Sequence, residues 1–374
     1  MRKLVLISAV LPAVSLAGDD TSLKLKIRLQ PRIDLGSLYR EDGEYRSGSD
    51  LYIRRARLEV SKMFKNPPAG RKLKLNVTLE MDKGERDYDY KKGRKRHTSY
   101  EVGVLYAYAD WKFSDGVAIR VGKYKKPFSR VSLTSSARQL LIERPVSTET
   151  GKKWLGDYYG NQVMVYGRVG GGLLKYMLAV SDGSTIEKVN RTGSANVTSE
   201  VNIGNFIGAR VEVSPPGFTE RKKDDTGIGE KNKGNVISLG LSYARNTNFS
   251  VDSVRDEEAS LWGADLFIRF GLGPGKLVAQ GEYISMDYSK IGKSGKGWYV
   301  QGGYLFRLVR NIYFEPALRY EKATFNGEDQ YITTAGFNNY LKGHKVKWAY
   351  NILFIKKGNE SQRTVHQIQA QIYF

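Results

Sequence analysis

The chain reads as an all-β protein, a transmembrane antiparallel β-barrel of sixteen strands. Three observations carry that reading: the phase of its two ends, the number of alternating segments, and the rhythm of the connectors between them. Near the C-terminus Ile368, Ala370, Ile372 and Phe374 share one phase, and Gln367, Gln369, Gln371 and Tyr373 the other. Alternation at period two marks a strand with one apolar and one polar face. Near the N-terminus Leu23, Leu25, Ile27, Leu29 and Ile33 alternate with Lys24, Lys26, Arg28, Gln30, Arg32 and Asp34. One of these faces suits lipid, and the other is almost entirely cationic.

In chain order, the first element is a leader. Arg2 and Lys3 precede an apolar run from Leu4 to Leu16, with Ser15 and Ala17 at the small-residue positions before Gly18. This predicts a secretory signal peptide over 1–17, too short to span a bilayer, and a single barrel domain over 18–374. No later apolar run is long enough for a transmembrane helix. With no cysteine in the chain, neither a disulfide framework nor a thiolate metal site is expected.

Alternating segments follow at 22–35, 50–64, 70–82, 100–113, 116–125, 158–169, 172–182, 203–214, 234–246, 259–270, 275–287, 297–307, 311–323, 329–340, 344–356 and 362–374. An even number is what a single-chain bacterial barrel requires, and a terminal aromatic on the apolar face is the usual end of its closing strand. If the chain starts on the periplasmic side, every second connector should be a short turn. NPPAG at 66–70, Ser114–Asp115, Gly170–Gly171 and GLGPG at 271–275 obey, while 36–49, 83–99, 126–157, 183–202 and 247–258 read as longer external loops. One segment breaks the rhythm: the long charged stretch 215–233 stands where a short turn belongs.

Two strands carry faults in phase. In LYIRRARLEV, Leu51 and Ile53 share a phase while Leu58 and Val60 occupy the opposite one, with the switch at Arg54–Arg55. A β-bulge there would turn both arginines and Arg57 into the lumen. Without it, one arginine would face lipid at a cost of about 2–4 kcal/mol near the midplane. Segment 100–113 is also irregular, because Tyr106 and Tyr108 sit opposite Leu105 and Ala107. The strands at 70–82, 259–270 and 311–323 alternate cleanly.

The chain carries 60 Lys and Arg against 39 Asp and Glu, a formal charge of +21. A basic chain often signals nucleic acid or anionic lipid. Here many of the charges lie on the polar phase of strands, which in a barrel lines the lumen. Anion preference follows, and no nucleic-acid partner is expected. The third external loop, 126–157, adds Lys126, Arg130, Arg138 and Arg144 as cations, with Thr134, Ser135 and Ser136 as hydroxyl donors. Guanidinium forks match phosphate oxygens.

From Tyr52 to about Tyr166 the chain resembles the phosphate-selective porin O and P family. The shared motifs are YIRRARLE, VGKYKKPF, LTSS and IERP, with RLQ at Arg28–Gln30 extending the likeness toward the N-terminus. The resemblance implies an outer-membrane homotrimer of sixteen-stranded barrels with an inward-folded third loop. It also implies an arginine-lined constriction for phosphate or polyphosphate: Arg28, Arg54, Arg55, Ser135, Ser136 and Arg144. Where phosphate-specific members carry a loop lysine, two aromatics and an acidic residue, this chain has Ser132, Arg57, Lys125 and Leu105. Extra cations, Arg57 among them, thus replace an aromatic lining, reinforcing anion preference and allowing a larger polyanion such as pyrophosphate.

Other features point to no chemistry. His97, His344 and His366 lack metal-ligand spacing and a serine partner, so no catalytic residue, metal or cofactor is expected. The run KKGRKRH at 91–97 reads as a solvated loop drawing anions to the mouth or touching lipopolysaccharide phosphates. Asp252, Asp256, Glu257 and Glu258 have no calcium-loop spacing. The expected partners are inorganic anions, outer-membrane lipid and lipopolysaccharide. Three alternatives stay open: an anion-leaning pore in which Arg54, Arg55 and Arg57 merely offset Glu59 and Glu143, a plugged structural or adhesive barrel, and an enzyme-bearing barrel.

Overall fold

A computed structural model describes residues 23–39, 45–67, 70–82, 101–154, 158–182, 198–199, 204–229, 234–251 and 254–374. The leader over 1–17, the basic run 91–97 with His97, most of connector 183–202, and Asp252 lie outside the described residues.

The N-terminal half of the sheet comprises β1 Lys24–Tyr39, β2 Tyr45–Lys65, β3 Lys72–Asp82, β4 Glu101–Lys112, β5 Ala118–Lys123, β6 Asn161–Val169, β7 Leu174–Ser181 and β8 Phe206–Val213. The second half comprises β9 Val236–Val251, β10 Val254–Leu272, β11 Gly275–Tyr288, β12 Ser294–Val309, β13 Ile312–Phe325, β14 Glu328–Tyr340, β15 Val346–Lys357 and β16 Arg363–Tyr373. The piece Thr198–Ser199 pairs with β9 as β8 does and continues that strand past an interruption. Each strand is antiparallel to its sequence neighbours, and β1 pairs with both β2 and β16, so the sheet closes with no free edge. The terminal residue completes the seam: Phe374 N–H donates to the Ile27 carbonyl at 3.0 Å, and Ile27 N–H returns the bond at 3.3 Å.

Outward residues such as Val77, Leu239, Leu241 and Leu318 are exposed, while their inward neighbours are buried. Backbone groups in a bilayer must be satisfied internally, and a closed ladder does this. Aromatic residues flank the apolar band, with Phe306, Phe314, Phe337 and Trp348 touching in sequence across β12–β15.

The bulge expected in β2 is present. Gln30 pairs with Arg55 and Pro31 with Ile53, leaving Arg54 as the extra residue. Pro31 has no N–H to donate, so the break in the ladder coincides with the position that cannot complete it. A second bulge explains the irregular fourth strand. Thr78 pairs with Tyr106 and Leu79 with Val104, so Leu105 is extra and the phase switches there. Val104 faces outward before the bulge, and Tyr106 and Tyr108 face the lumen after it.

Two expected external loops are corrected. Strands β1 and β2 extend to Tyr39 and from Tyr45, and β9 and β10 extend to Val251 and from Val254. Segments 36–49 and 247–258 are therefore mostly hairpin arms. Leu38 and Phe249, buried in apolar clusters, hold these arms in register.

Candidate functional site

The third loop, described over 124–154 and 158–160, folds into the lumen because its apolar side chains meet apolar patches on the inner wall. Phe128 and Trp154 pack with Leu261, Ile284 and Met286. Leu140 and Leu141 pack with Val236, Phe267 and Val278. Val146 packs with Ile332, Leu353 and Val365. Each fully buried Leu or Phe stabilises the docked loop by about 1.5–3 kcal/mol. Polar contacts fix its height: Ser129 and Thr148 hydroxyls donate to Glu282 at 3.0 and 3.2 Å, and Val146 N–H donates to Glu321 at 2.5 Å.

Within the loop, a short helix at Arg130–Leu133 is capped by Ser129, and a 3-10 turn at Ser136–Arg138 by Ser135. Lys125 Nζ donates to the carbonyls of Ser132, Leu133 and Thr134 at 2.6–3.1 Å. Arg144 donates to the Val131 and Thr134 carbonyls at 3.1 and 3.2 Å. Both cations therefore satisfy carbonyls that the helix end leaves unpaired. Burial pushes the Lys125 ammonium well below its usual range, with Arg144 adding to the effect.

The residues expected to form the site divide into two groups. Arg28, Arg57 and Ser135 line one cavity, and Ser136 is bonded to both arginines. Arg28 and Arg57 are cross-strand partners. Both guanidiniums donate to the Ser136 hydroxyl, at 3.3 and 3.4 Å. Arg57 is also forked onto Glu80 at 2.8 and 3.0 Å. Among the described residues Arg28 has no carboxylate in ion-pair range, only Ser136 and the Tyr373 ring 5.0 Å away. Arg54, Arg55 and Arg144 stand apart from this group. Arg54 Nε lies 3.2 Å from Glu143, which Arg32 also binds. Although burial opposes it, these two guanidiniums hold Glu143 well below the usual carboxylate range. Arg55 lies 3.7 Å from Glu80, and Arg144 braces the loop.

The cavity has a volume of about 410 Å³. Along with Arg28, Arg57 and Ser135 it is lined by Lys26, Lys74, Arg120, Arg138 and several tyrosines. Lys26 and Lys74 share the single carboxylate of Glu59, at 2.5 and 3.8 Å. The wall therefore carries more basic groups than acidic partners.

Over its described residues, to 229, the segment that broke the connector rhythm keeps its side of the barrel and folds inward. Ser214 N–H bonds the Leu173 carbonyl at 2.8 Å, beside the short turn after β6. From there Glu220, Asp224, Asp225 and Thr226 are all buried. Glu220 takes a two-pronged pair from Arg130 at 2.8 and 2.9 Å, and Asp225 lies 3.3 Å from Arg130 Nε. Asp224 holds His344 at 3.0 Å, and Gly227 N–H donates to Glu315 at 2.6 Å. Burial pushes Asp225 up to about 7 against the pull of Arg130, with Glu220 and Asp224 raising it further. Together the loop and this segment fill the lumen beside β8–β16 and leave the cavity beside β1–β7.

Sequence reasoning missed Glu80 as the partner of Arg57 and Arg55, Arg32 as the second arginine on Glu143, and the inward acids at 220–225. Glu80 had a signal: it lies in phase with Lys72 and Lys74 on β3, so it had to face the cations of β2.

The model of the family described as phosphate-selective porin O and P matches residues 25–374. The chain belongs to that family. It is an outer-membrane porin, a channel rather than an enzyme. A protein of Aquifex aeolicus (strain VF5), named only as uncharacterized, is 52% identical over the whole of both chains. Among solved structures, the trimer form of Vibrio cholerae OmpT matches with TM-score 0.59 at 8% identity, over 94% of this chain and 99% of that one. An anion-selective porin from Comamonas acidovorans matches with TM-score 0.56 at 13% identity, over 94% and 99%. These distant likenesses concern the fold, which the family membership and the barrel share.

Proposed function

We propose that this porin passes anions passively and binds phosphate-like ions at Arg28, Arg57, Ser135 and Ser136. The observation that carries the reading is the Ser136 hydroxyl accepting from two guanidiniums that face each other across β1 and β2. An anion oxygen placed there receives the same two donors with full charge assistance, which roughly doubles the strength of a neutral bond. Arg54, Arg55 and Arg144 act at one remove, holding Glu143, Glu80 and the loop so that the constriction keeps its shape. Lys26 and Lys74 supply flanking cations. Throughput requires several such sites, each weak enough to release. The proposed assembly is a homotrimer, in keeping with the family and with the trimeric Vibrio neighbour.

Reversal potentials in planar bilayers, with chloride, phosphate and pyrophosphate in turn, test the reading. The expected result is anion over cation selectivity, with phosphate blocking the chloride current at low concentration. A channel passing potassium more readily than chloride would overturn it.

A further inference from the structure

The inner wall of β4–β7 is unlike the rest of the open lumen. Interior faces of large barrels are polar, yet here Tyr106, Tyr108, Tyr124, Tyr166, Met164 and Met177 line the cavity. The Leu105 bulge is what turns Tyr106 and Tyr108 inward. Part of this aromatic surface serves packing. Arg120 sits over Tyr108, Tyr124 and Tyr166 at 4.7, 4.0 and 5.0 Å and is paired with Asp110 at 2.8 Å. Tyr106 does not serve Arg120. Its ring leans on Tyr124 at 5.1 Å and Tyr159 at 5.7 Å, and it borders the same cavity as Lys26, Arg28 and Arg57.

A chamber lined by cations and also by rings and thioethers matches a ligand that has both characters. An inorganic anion uses only the cations. The volume of about 410 Å³ also falls in the range that receives organic molecules rather than a bare oxyanion. Aromatic faces reward a flat apolar body, and methionine adapts to its shape. We infer that the vestibule is a binding site for organic phosphates, with the phosphoryl group on Arg28 and Arg57 and a flat body against Tyr106 and its neighbours. The inference rests on the anion-porin reading above and specifies the substrate class of that site.

Block of single-channel chloride current by phenyl phosphate and by inorganic phosphate tests it. In the wild type, phenyl phosphate should block at a concentration about tenfold lower, the scale of one aromatic contact. Tyr106→Leu should remove most of that advantage while leaving the inorganic phosphate block within about twofold, and Tyr106→Phe should keep it. Equal block by the two ligands in the wild type would overturn the inference, as would an advantage that survives Tyr106→Leu. Phenol alone blocking as well as phenyl phosphate would also overturn it. If the leucine variant fails to fold, the wild-type and Tyr106→Phe comparisons decide. If the channel prefers cations, it is the porin reading that fails. Calorimetric titration of the detergent-solubilised barrel with the same two ligands then judges the vestibule by the same ratio.

Discussion

The two halves of the lumen use the same residue type for opposite ends. Beside β8–β16, most buried arginines are matched to carboxylates: Arg210 to Asp265 at 2.5 Å, Arg319 to Glu321 at 3.0 Å, and Arg130 of the loop to Glu220 at 2.8 Å. Arg269 is instead buried against the Phe267 ring, with no carboxylate in ion-pair range among the described residues. Beside β1–β7, Lys26 and Lys74 share one carboxylate, and among the described residues Arg28 has none. The difference follows from water. A charge removed from solvent by a docked loop is costly unless paired, whereas a charge on the cavity wall can remain available to a passing ion. Filling one half of the barrel confines the ion path to the half where the excess positive charge lies.

The sharpest way to break this comparison is to strip a cation from the filled half. Arg130→Met leaves Glu220 and Asp225 buried without their partner, a change that costs about 3–5 kcal/mol for a buried pair. The expected outcome is a noisy channel of higher conductance with 214–229 newly open to protease, because the loop and the inward segment lose their joint anchor. A quiet channel of unchanged conductance would show that the apolar docking of Phe128 and Leu140 is sufficient alone.

The next test sets Arg28→Ala against Arg54→Ala. Charge-assisted hydrogen bonds contribute about 1.5–3 kcal/mol, so losing Arg28 should weaken phosphate block by about 10–100-fold. Arg54→Ala instead removes one of the two guanidiniums on Glu143, and its larger effect should be on the thermal stability of the loop. Equal weakening of block by both variants would erase the distinction between the cavity-lining and the loop-paired arginines on β1 and β2.

How much of this was legible in the chain follows from what alternation encodes. Period two fixes which side of a strand a residue faces, so all sixteen strands and the inward arginines could be read directly. The Arg54–Arg55 bulge was legible too, because a phase switch across two arginines has only one inexpensive explanation. The same signal at Leu105 looked like irregularity, since tyrosines are tolerated on either face. Pairings across long sequence separations were not legible. Arg130 and Glu220 are 90 residues apart and Asp224 and His344 are 120, and nothing local marks charged loop residues as partners rather than solvated. For the same reason Arg144 could be identified as a cation near the site, but its role as a brace on the Val131 and Thr134 carbonyls depends on how the loop turns.

A smaller effect is expected at Ser136. A neutral hydrogen bond contributes about 0.5–1.5 kcal/mol, so Ser136→Ala should shift phosphate block only severalfold, read from the concentration dependence of single-channel closures. Because the hydroxyl also separates two facing guanidiniums, its loss should steepen the decline of anion selectivity with added salt. Over about 8–10 Å at 0.1–0.15 M the field is screened, and the variant leans more heavily on that field.

The smallest effect on current belongs to Asp225, where the comparison becomes one of pH. Its folded pKa, pushed up to about 7, lies above the value of about 3.9 for a free aspartate. The folded segment therefore binds a proton that the released segment does not between those limits. The stability it contributes is complete below about pH 4 and is lost as pH rises through about 7. His344 runs the other way. Burial lowers it despite Asp224, so its contribution is present above about 6.5 and is lost as pH falls. Wild type alone would mix the two trends, and the difference between wild type and Asp225→Asn isolates the carboxyl. Hydrogen exchange in 214–229, corrected for the intrinsic rate, should accelerate from pH 5 to pH 8 more in the wild type than in the variant. Identical profiles would mean that Arg130 keeps Asp225 ionised throughout, and that the filled half of the lumen is held by charge pairs alone.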